Sequence, residues 1–167
     1  MSWFNFNKMI HWAKEILQIH FAPLQQQAIE TALSSSLSVI TGGPGTGKTT
    51  LIRALVTISQ TQFLRFALCS PTGRAAHRLF QSTGYRAHTI HRLLKFDGAT
   101  EKYFHNQENP LDLDLVLIDE ASMVDLEILS RLIEALPDHC AITFIGDADQ
   151  LPSVGAGRVL HSLISSG

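Results

Sequence analysis

The sequence contains no aspartate or glutamate between residues 31 and 96, although the whole chain has 15 acidic residues. Eight lysines and arginines lie in this acid-free stretch, and 13 of the 15 acids follow it, from Asp97 onward. A stretch with one sign of charge is typical of a surface that binds a polyanion. The same distribution is also compatible with one fold whose surface charges are simply solvated.

Cysteines and long apolar runs are also scarce. The two cysteines, Cys69 and Cys140, lie in separate apolar runs and form no paired pattern, which favours buried reduced thiols over a disulfide or metal site. No apolar run approaches the roughly 20 residues that a membrane-spanning helix needs, and residues 1–8 lack the build of a signal peptide. We therefore expect a cytoplasmic protein without membrane association.

Short apolar runs alternate with helical patterns along the chain. The predicted strands are 37–40, 64–70, 111–118 and 141–145, and the predicted helices are 8–19, 24–33, 48–60, 89–94, 125–136, one after residue 73 and one from about residue 157. Residues 97–110 indicate a loop or weak hairpin. One apolar face of the predicted helix 125–136 is expected to carry Leu126, Leu129, Leu132, Ile133 and Leu136. This alternation predicts an α/β fold with a parallel sheet and helices on both faces. Ligands are then expected at the carboxyl ends of the strands.

A glycine-rich loop follows the first predicted strand. Residues 42–49 match the phosphate-binding pattern G-x-x-x-x-G-K-[ST], with an apolar run before and a helical pattern after. Glycines permit backbone angles that turn N–H groups toward a phosphate at a helix N-terminus. In this scheme Lys48 contacts the outer phosphates and the Thr49 hydroxyl binds Mg²⁺. The other predicted nucleotide-binding residues of the loop are Gly43, Pro44, Gly45, Thr46, Gly47 and Thr50.

Two later strand ends carry the remaining residues for phosphate chemistry. Asp119 ends an apolar run and is predicted to hold Mg²⁺ together with Thr49. Glu120 follows directly and is predicted to polarise the water that attacks the γ-phosphate. Gln150 lies in the loop after the fourth strand, where an amide can detect the γ-phosphate. Metal ligand and adjacent base together predict a hydrolase.

Five segments in this order resemble motifs of superfamily 1 DNA helicases, specifically superfamily 1B. They are residues 42–49 (motif I), 70–76 (motif Ia), 88–94 (the neighbouring DNA-contacting motif), 116–123 (motif II) and 146–154 (motif III). The residues at 136–139 and 154–160 are most similar to RecD-type helicases, the alpha subunits of exodeoxyribonuclease V. The resemblance implies a RecA-like P-loop NTPase fold.

The resemblance also implies a function. It implies ATP-driven 5′-to-3′ movement on single-stranded DNA in double-strand break repair and recombination, with ATP and Mg²⁺ as cofactors and RecB and RecC type subunits as partners. Gln25 matches the glutamine that contacts adenine, although Gln26 and Gln27 leave the register open by a residue. The positions that match contacts near DNA phosphates are Thr72, Arg74, Thr89, His91 and Arg92.

The domain organisation expected from this resemblance has two parts. Residues 1–21 form an N-terminal helical segment, and residues 22–167 form a RecA-like domain that stops before the later helicase motifs. We therefore expect a fragment that hydrolyses ATP poorly alone, because related NTPases need an arginine from outside such a segment. The alternative is a nucleotide-binding or DNA-binding module without turnover. An AAA+ protein or a kinase is disfavoured by Glu120 together with Gln150.

Overall fold

A computed structural model describes residues 5–43, 45–147, 149 and 165–166. The helices are α1 (Phe6–Leu17), α2 (Pro23–Ser34), α3 (Lys48–Thr61), α4 (Gly73–Thr83), α5 (Ile90–Leu93) and α6 (Leu126–Glu134). The strands are β1 (Leu37–Thr41), β2 (Phe66–Ser70), β3 (Ala87–Thr89), β4 (Phe96–Asp97), β5 (Lys102–Tyr103), β6 (Leu115–Ile118) and β7 (Ala141–Gly146). A short 3₁₀ turn, Ala121–Met123, follows β6.

Five strands form one sheet in the order β1-β7-β6-β2-β3, and every neighbouring pair in it is parallel. The register places Val39 opposite Phe144 and Leu117 opposite both Thr143 and Leu68. Because the strands run in one direction, their carboxyl ends share one edge. The predicted parallel α/β sheet is confirmed.

Apolar side chains cover both faces of this sheet. In β2, Leu68 packs in a cluster with α1, α2, α3 and α4, whereas Ala67 and Cys69 pack in a cluster with α5 and α6. β6 alternates in the same way, with Leu117 on the α3 side and Ile118 on the α6 side. Strand side chains alternate between faces, so a strand buried on both sides needs the continuous apolar run seen here.

Polar residues fix where several helices begin. Pro23 occupies the first turn of α2, where its missing N–H costs no hydrogen bond. The Thr72 hydroxyl accepts from Ala75 N at the start of α4, and the Asp125 carboxylate accepts from Ile128 N at the start of α6. These caps place both helix starts directly after loops on the carboxyl edge of the sheet.

Three details of the sequence prediction are wrong. The strand predicted over 111–118 begins only at Leu115, because Leu111 N bonds to Ala135 O and Asp114 N bonds to Arg65 O, outside the sheet ladder. β3 was not predicted, although it extends the sheet by pairing with β2. α6 buries Ile128, Leu129 and Leu132, while Leu126 and Ile133, which were expected on its apolar face, are exposed.

The other predictions about the scaffold fare better. β4 and β5 pair antiparallel within the segment expected to be a loop or weak hairpin. Cys69 and Cys140 are buried free thiols, as predicted, and burial raises their pKa values to about 12 and about 11. Within the described part of the chain, every helix is too short or too polar to cross a membrane. The helix expected from residue 157 lies outside the described residues, and the domain boundary at 21/22 stays a prediction.

Candidate nucleotide and nucleic-acid site

The carboxyl edge of the sheet brings distant segments together. Thr41, the last residue of β1, pairs with Gly146 of β7, and Gly42 N donates to Gly146 O at 3.2 Å. Asp119 N, just after β6, donates to Cys69 O of β2 at 2.9 Å. The glycine-rich loop, the Asp119–Glu120 pair and the start of α4 therefore meet at one edge, as expected for a parallel sheet.

The glycine-rich loop has the backbone that a phosphate site needs. Gly45 and Gly47 have φ values of +74° and +82°, which side chains strongly disfavour. Thr46 Oγ1 donates to Gly43 O at 2.7 Å and braces the loop. α3 begins immediately afterwards at Lys48, so the unpaired N–H groups of its first turn face the loop. Lys48 Nζ donates to Gly43 O at 3.0 Å, which places its charge inside the loop.

A pocket of about 240 Å³ lies beside this loop. Its lining consists of Leu24, Gln25, Ala28, Ile40, Thr41, Gly42, Thr46, Gly47, Lys48 and Leu51. Gln25 Oε1 accepts from Ala22 N at 2.9 Å, and a Cβ added to Gly47 would collide with Gln25 Nε2. Gln26 instead donates to Phe21 O, away from the loop. Of the three adjacent glutamines, the structure therefore places Gln25 against the glycine-rich loop.

The two carboxylates after β6 lie in different environments. Burial raises the pKa of Asp119 above its usual value, and the Glu120 N–H and the charges of Lys48 and Arg78 partly oppose this shift. The contribution of Lys48 shows that its positive charge lies near Asp119. Glu120 has a φ of +53°, a left-handed conformation that a non-glycine residue adopts at a cost in free energy. The predicted metal ligand and the predicted base thus occupy different environments at adjacent positions.

The oxygen atoms at this edge suit Mg²⁺. Thr49, an exposed residue in the first turn of α3, offers a hydroxyl, and Asp119 offers a carboxylate. Ser70 Oγ, at the end of the neighbouring strand β2, is buried and has no hydrogen-bond partner among the described residues. The described residues contain no cluster of three or more His, Cys, Asp or Glu side chains that could enclose a metal. A site with few protein ligands fits Mg²⁺, which retains several waters and binds phosphate oxygens.

A second concave surface, the basic groove, lies between α4, β3 and α5 and has a volume of about 500 Å³. It is lined by Gly73, Ala76, His77, Phe80, Arg86, Ala87, His88, Thr89 and Arg92. The Phe80 side chain is half exposed here. Burial and the neighbouring charges of Arg86 and Arg92 lower the pKa of His88. The groove therefore combines guanidinium groups with an exposed aromatic ring, as surfaces for single-stranded nucleic acid do.

The five residues predicted to contact DNA are only partly brought together. Thr89 and Arg92 line the basic groove, whereas Arg74 lies exposed on the first turn of α4. The Thr72 and Thr89 hydroxyls cap α4 and α5. His91 lies at a different place, with its ring 5.7 Å from that of Phe96 in the β4–β5 hairpin.

Comparison with known proteins gives the family. A model described as an AAA domain matches residues 25–156, which include the glycine-rich loop and the Asp119–Glu120 pair. The chain belongs to the AAA domain family. The description 'AAA domain' covers more proteins than the helicases. The curated relatives show which of these proteins the chain resembles.

The relatives of this AAA domain confirm the resemblance to RecD-type helicases. The RecBCD enzyme subunit RecD of Haemophilus influenzae is 38% identical over 163 aligned residues, which cover 83% of this chain and 26% of that protein. The ATP-dependent RecD2 DNA helicase of Deinococcus radiodurans is 39% identical over 139 residues, which cover 83% of this chain and 19% of that protein. The chain thus spans about a quarter or less of these two relatives.

Solved structures agree on the fold. A Bacteroides Pif1 structure described as bound to ssDNA matches with a TM-score of 0.60 at 22% identity, over 89% of this chain and 36% of that one. At this level of identity the match concerns the fold alone. The α/β P-loop fold expected from the resemblance is confirmed, and AAA domains of this kind use a nucleotide.

Several site residues were missed in the sequence. The groove residues His77 and Phe80 could have been found, because they follow Gly73 at spacings of four and seven and so share a face of α4. Arg78 could not have been found, because its partner Glu120 lies 42 residues away. Pro44 and Gln150 lie outside the described residues.

Proposed function

We propose that this chain is the ATP-binding and ATP-hydrolysing motor domain of a RecD-type 5′-to-3′ DNA helicase that acts in double-strand break repair and recombination. The observation that carries the proposal is the meeting, at one sheet edge, of a phosphate loop and an adjacent pair of carboxylates next to a basic groove. The names of the curated relatives support the same function.

The nucleotide would bind along the pocket beside the glycine-rich loop. Lys48 would contact the outer phosphates, and Gln25 would contact the adenine from its position against Gly47. Thr49 and Asp119 would hold Mg²⁺, which neutralises phosphate charge when bound. Glu120 would accept a proton from the attacking water, and Gln150 would detect the γ-phosphate. Gly43, Pro44, Gly45, Thr46, Gly47 and Thr50 would supply loop contacts.

Single-stranded DNA would run along the basic groove and the exposed start of α4. Arg74 and Arg92 would bind phosphates, and Phe80 offers a ring on which a base can stack. Contacts of these kinds hold DNA without reading its sequence. Thr72 and Thr89 would act partly by capping the helices that carry the arginines. His91 would contact DNA only where the strand also passes the β4–β5 hairpin.

Steady-state ATPase assays with and without single-stranded DNA test this proposal. The assays use the complete gene product and, in parallel, this chain alone. We expect DNA-stimulated ATP hydrolysis in the complete product and weak hydrolysis in this chain. ATP binding without hydrolysis under either condition would contradict the motor function and favour the alternative, a binding module without turnover.

The partners and the cellular location belong to the same proposal. Two relatives are named as RecD and RecD2 proteins, and RecBCD is named as the assembly of the first. We propose RecB and RecC type subunits as partners and the cytoplasm as the location. Copurification of such subunits with the complete gene product tests the first point.

A further inference from the structure

An ion pair joins α4 to the proposed catalytic base. Arg78 Nη2 donates to Glu120 Oε1 at 3.1 Å. Of the eight lysines and arginines in the acid-free stretch, Arg65 and Arg78 form ion pairs with carboxylates among the described residues. Arg65 does so at the opposite edge of the sheet. Among the described residues, Arg78 is therefore the only lysine or arginine of this stretch that forms an ion pair with a carboxylate of the proposed site.

The pair has little to contribute to stability. The Arg78 side chain is 63% exposed, and exposed ion pairs add little to the stability of a fold. Glu120, by contrast, is 28% exposed and holds a left-handed backbone. Strained residues of this kind persist where surrounding contacts hold them, and they cluster at functional sites. The pair is consequently better placed to orient Glu120 than to stabilise the molecule.

Two sides of α4 carry residues that the proposed function uses. One flank carries Gly73, Ala76, His77 and Phe80, which line the basic groove. Arg78 lies on a different flank, one turn after Arg74. The core side of the helix is held by Ala75 and Leu79. A shift of α4 that accompanies occupation of the groove would therefore move the guanidinium that holds Glu120.

We propose that Arg78 is a positioning residue that orients Glu120 and thereby makes ATP hydrolysis depend on DNA bound along α4. This inference rests on the proposed function, because it needs Glu120 as the base. One carboxylate oxygen of Glu120 is held by Arg78, and the other stays available to a water. Without Arg78, the Glu120 side chain samples other rotamers, and DNA on α4 loses its connection to the base.

The test compares Arg78→Ala and Arg78→Lys with the unsubstituted complete gene product. Arg78→Ala should lower the DNA-stimulated kcat about tenfold, a fraction of the 10²- to 10⁴-fold that a positioned base contributes. The DNA-free rate should change less, so the ratio of the two rates falls. The KM for ATP and the Kd for single-stranded DNA should stay the same. Arg78→Lys should recover part of the loss, since an ammonium can still donate to Glu120.

A double-substitution experiment shows whether Arg78 acts through Glu120. In a Glu120→Gln background, adding Arg78→Ala should lower the residual rate no further, because residues that act as a unit are not additive. Arg131→Ala is the matched control, because it removes another exposed ion pair, with Glu134, on α6. An unchanged melting temperature in Arg78→Ala shows that the variant folds.

The outcomes separate this inference from the proposed function. If Glu120→Gln keeps normal turnover, the proposed role of Glu120 fails. If Glu120→Gln is inactive but Arg78→Ala retains full DNA stimulation, only the role of Arg78 fails. A further tenfold loss on adding Arg78→Ala to Glu120→Gln would also overturn the role of Arg78, as would an equal fall of the DNA-stimulated and DNA-free rates.

Discussion

Two aspartates bracket strand β6 and differ in almost every respect. Asp114, before the strand, accepts from the backbone and side chain of Arg65 and lies 3.3 Å from His139, and these contacts hold its pKa well below the usual value. Asp119, after the strand, has a pKa raised mainly by burial. The amino edge of the sheet thus holds a carboxylate that favours folding, whereas the carboxyl edge keeps one whose charge opposes folding.

Lys48→Ala, at the carboxyl edge, should produce the largest effect, a loss of ATPase activity with little change in stability. Removing the charge that we propose contacts the outer phosphates should lower ATPase activity of the complete gene product by about 100-fold or more. The melting temperature should change little, because the bonds of Lys48 Nζ end on loop carbonyls. Steady-state ATPase assays and thermal unfolding measure both. Near-normal turnover would refute the role of Lys48.

Arg74→Ala combined with Arg92→Ala should have the next largest effect, again on function alone. Loss of both guanidinium groups should weaken single-stranded DNA binding and reduce its salt dependence, with a slope change of about 0.7 for each lost phosphate contact. Fluorescence anisotropy titrations at several salt concentrations give this slope. Arg131→Ala serves as the control, and an identical slope in the double variant would contradict the placement of DNA.

Asp114→Asn should act on the amino edge and therefore on stability. We expect the melting temperature of this chain at pH 7 to fall by about 2 to 4 °C, the shift that roughly 1 kcal/mol causes in a chain of this size. Because the folded pKa of Asp114 is lowered, its contribution is complete above the unfolded pKa of about 3.9 and is lost as the pH falls toward the folded value. ATPase activity should be unaffected.

Melting curves between pH 3 and pH 7 test the Asp114 prediction. The difference between Asp114→Asn and the unsubstituted chain should narrow as the pH drops below about 4. A constant difference across this range would show that Asp114 stabilises the fold through something other than its charge.

Asp119→Asn should change stability less than Asp114→Asn does, and in the opposite direction. A raised folded pKa means that the native state binds a proton more tightly, so the charged form opposes folding as the pH rises above about 3.9. The variant should melt about 1 °C higher at pH 7, because it no longer buries a charge. At pH 3 its melting temperature should equal that of the unsubstituted chain. Its ATPase activity should be lost. If Asp119→Asn lowered the melting temperature as much as Asp114→Asn does, both carboxylates would stabilise the fold, and the proposed difference between the two edges would be wrong.

The parts of the fold that could be predicted depend on patterns within one element. The glycine-rich loop, the two carboxylates and the runs that form β1, β2, β6 and β7 are each visible locally. β3 was missed because three residues at a sheet edge leave no readable alternation. The α6 face was misjudged because Leu126 and Ile133 fit the helical period while the sheet contacts the side that carries Ile128.

The parts of the site that escaped prediction depend on contacts between elements. Three consecutive glutamines look alike in sequence, and only the approach of Gln25 to Gly47 distinguishes one of them. The bond between Arg78 and Glu120 joins α4 to the end of β6, and no spacing rule links positions so far apart. The acid-free stretch indicated a basic surface. In the folded chain, however, Arg65 lies away from that surface, where it pairs with Asp112 and Asp114.

The two buried thiols make the molecule convenient to label. Maleimide reagents attack the thiolate, and Cys69 and Cys140, buried and with raised pKa values, supply almost none at neutral pH. A single cysteine introduced in place of the exposed Gln81 of α4 could therefore carry a fluorophore, and the two native cysteines would not need to be replaced. Such a dye would report in real time whether α4 moves as nucleotide and DNA are added.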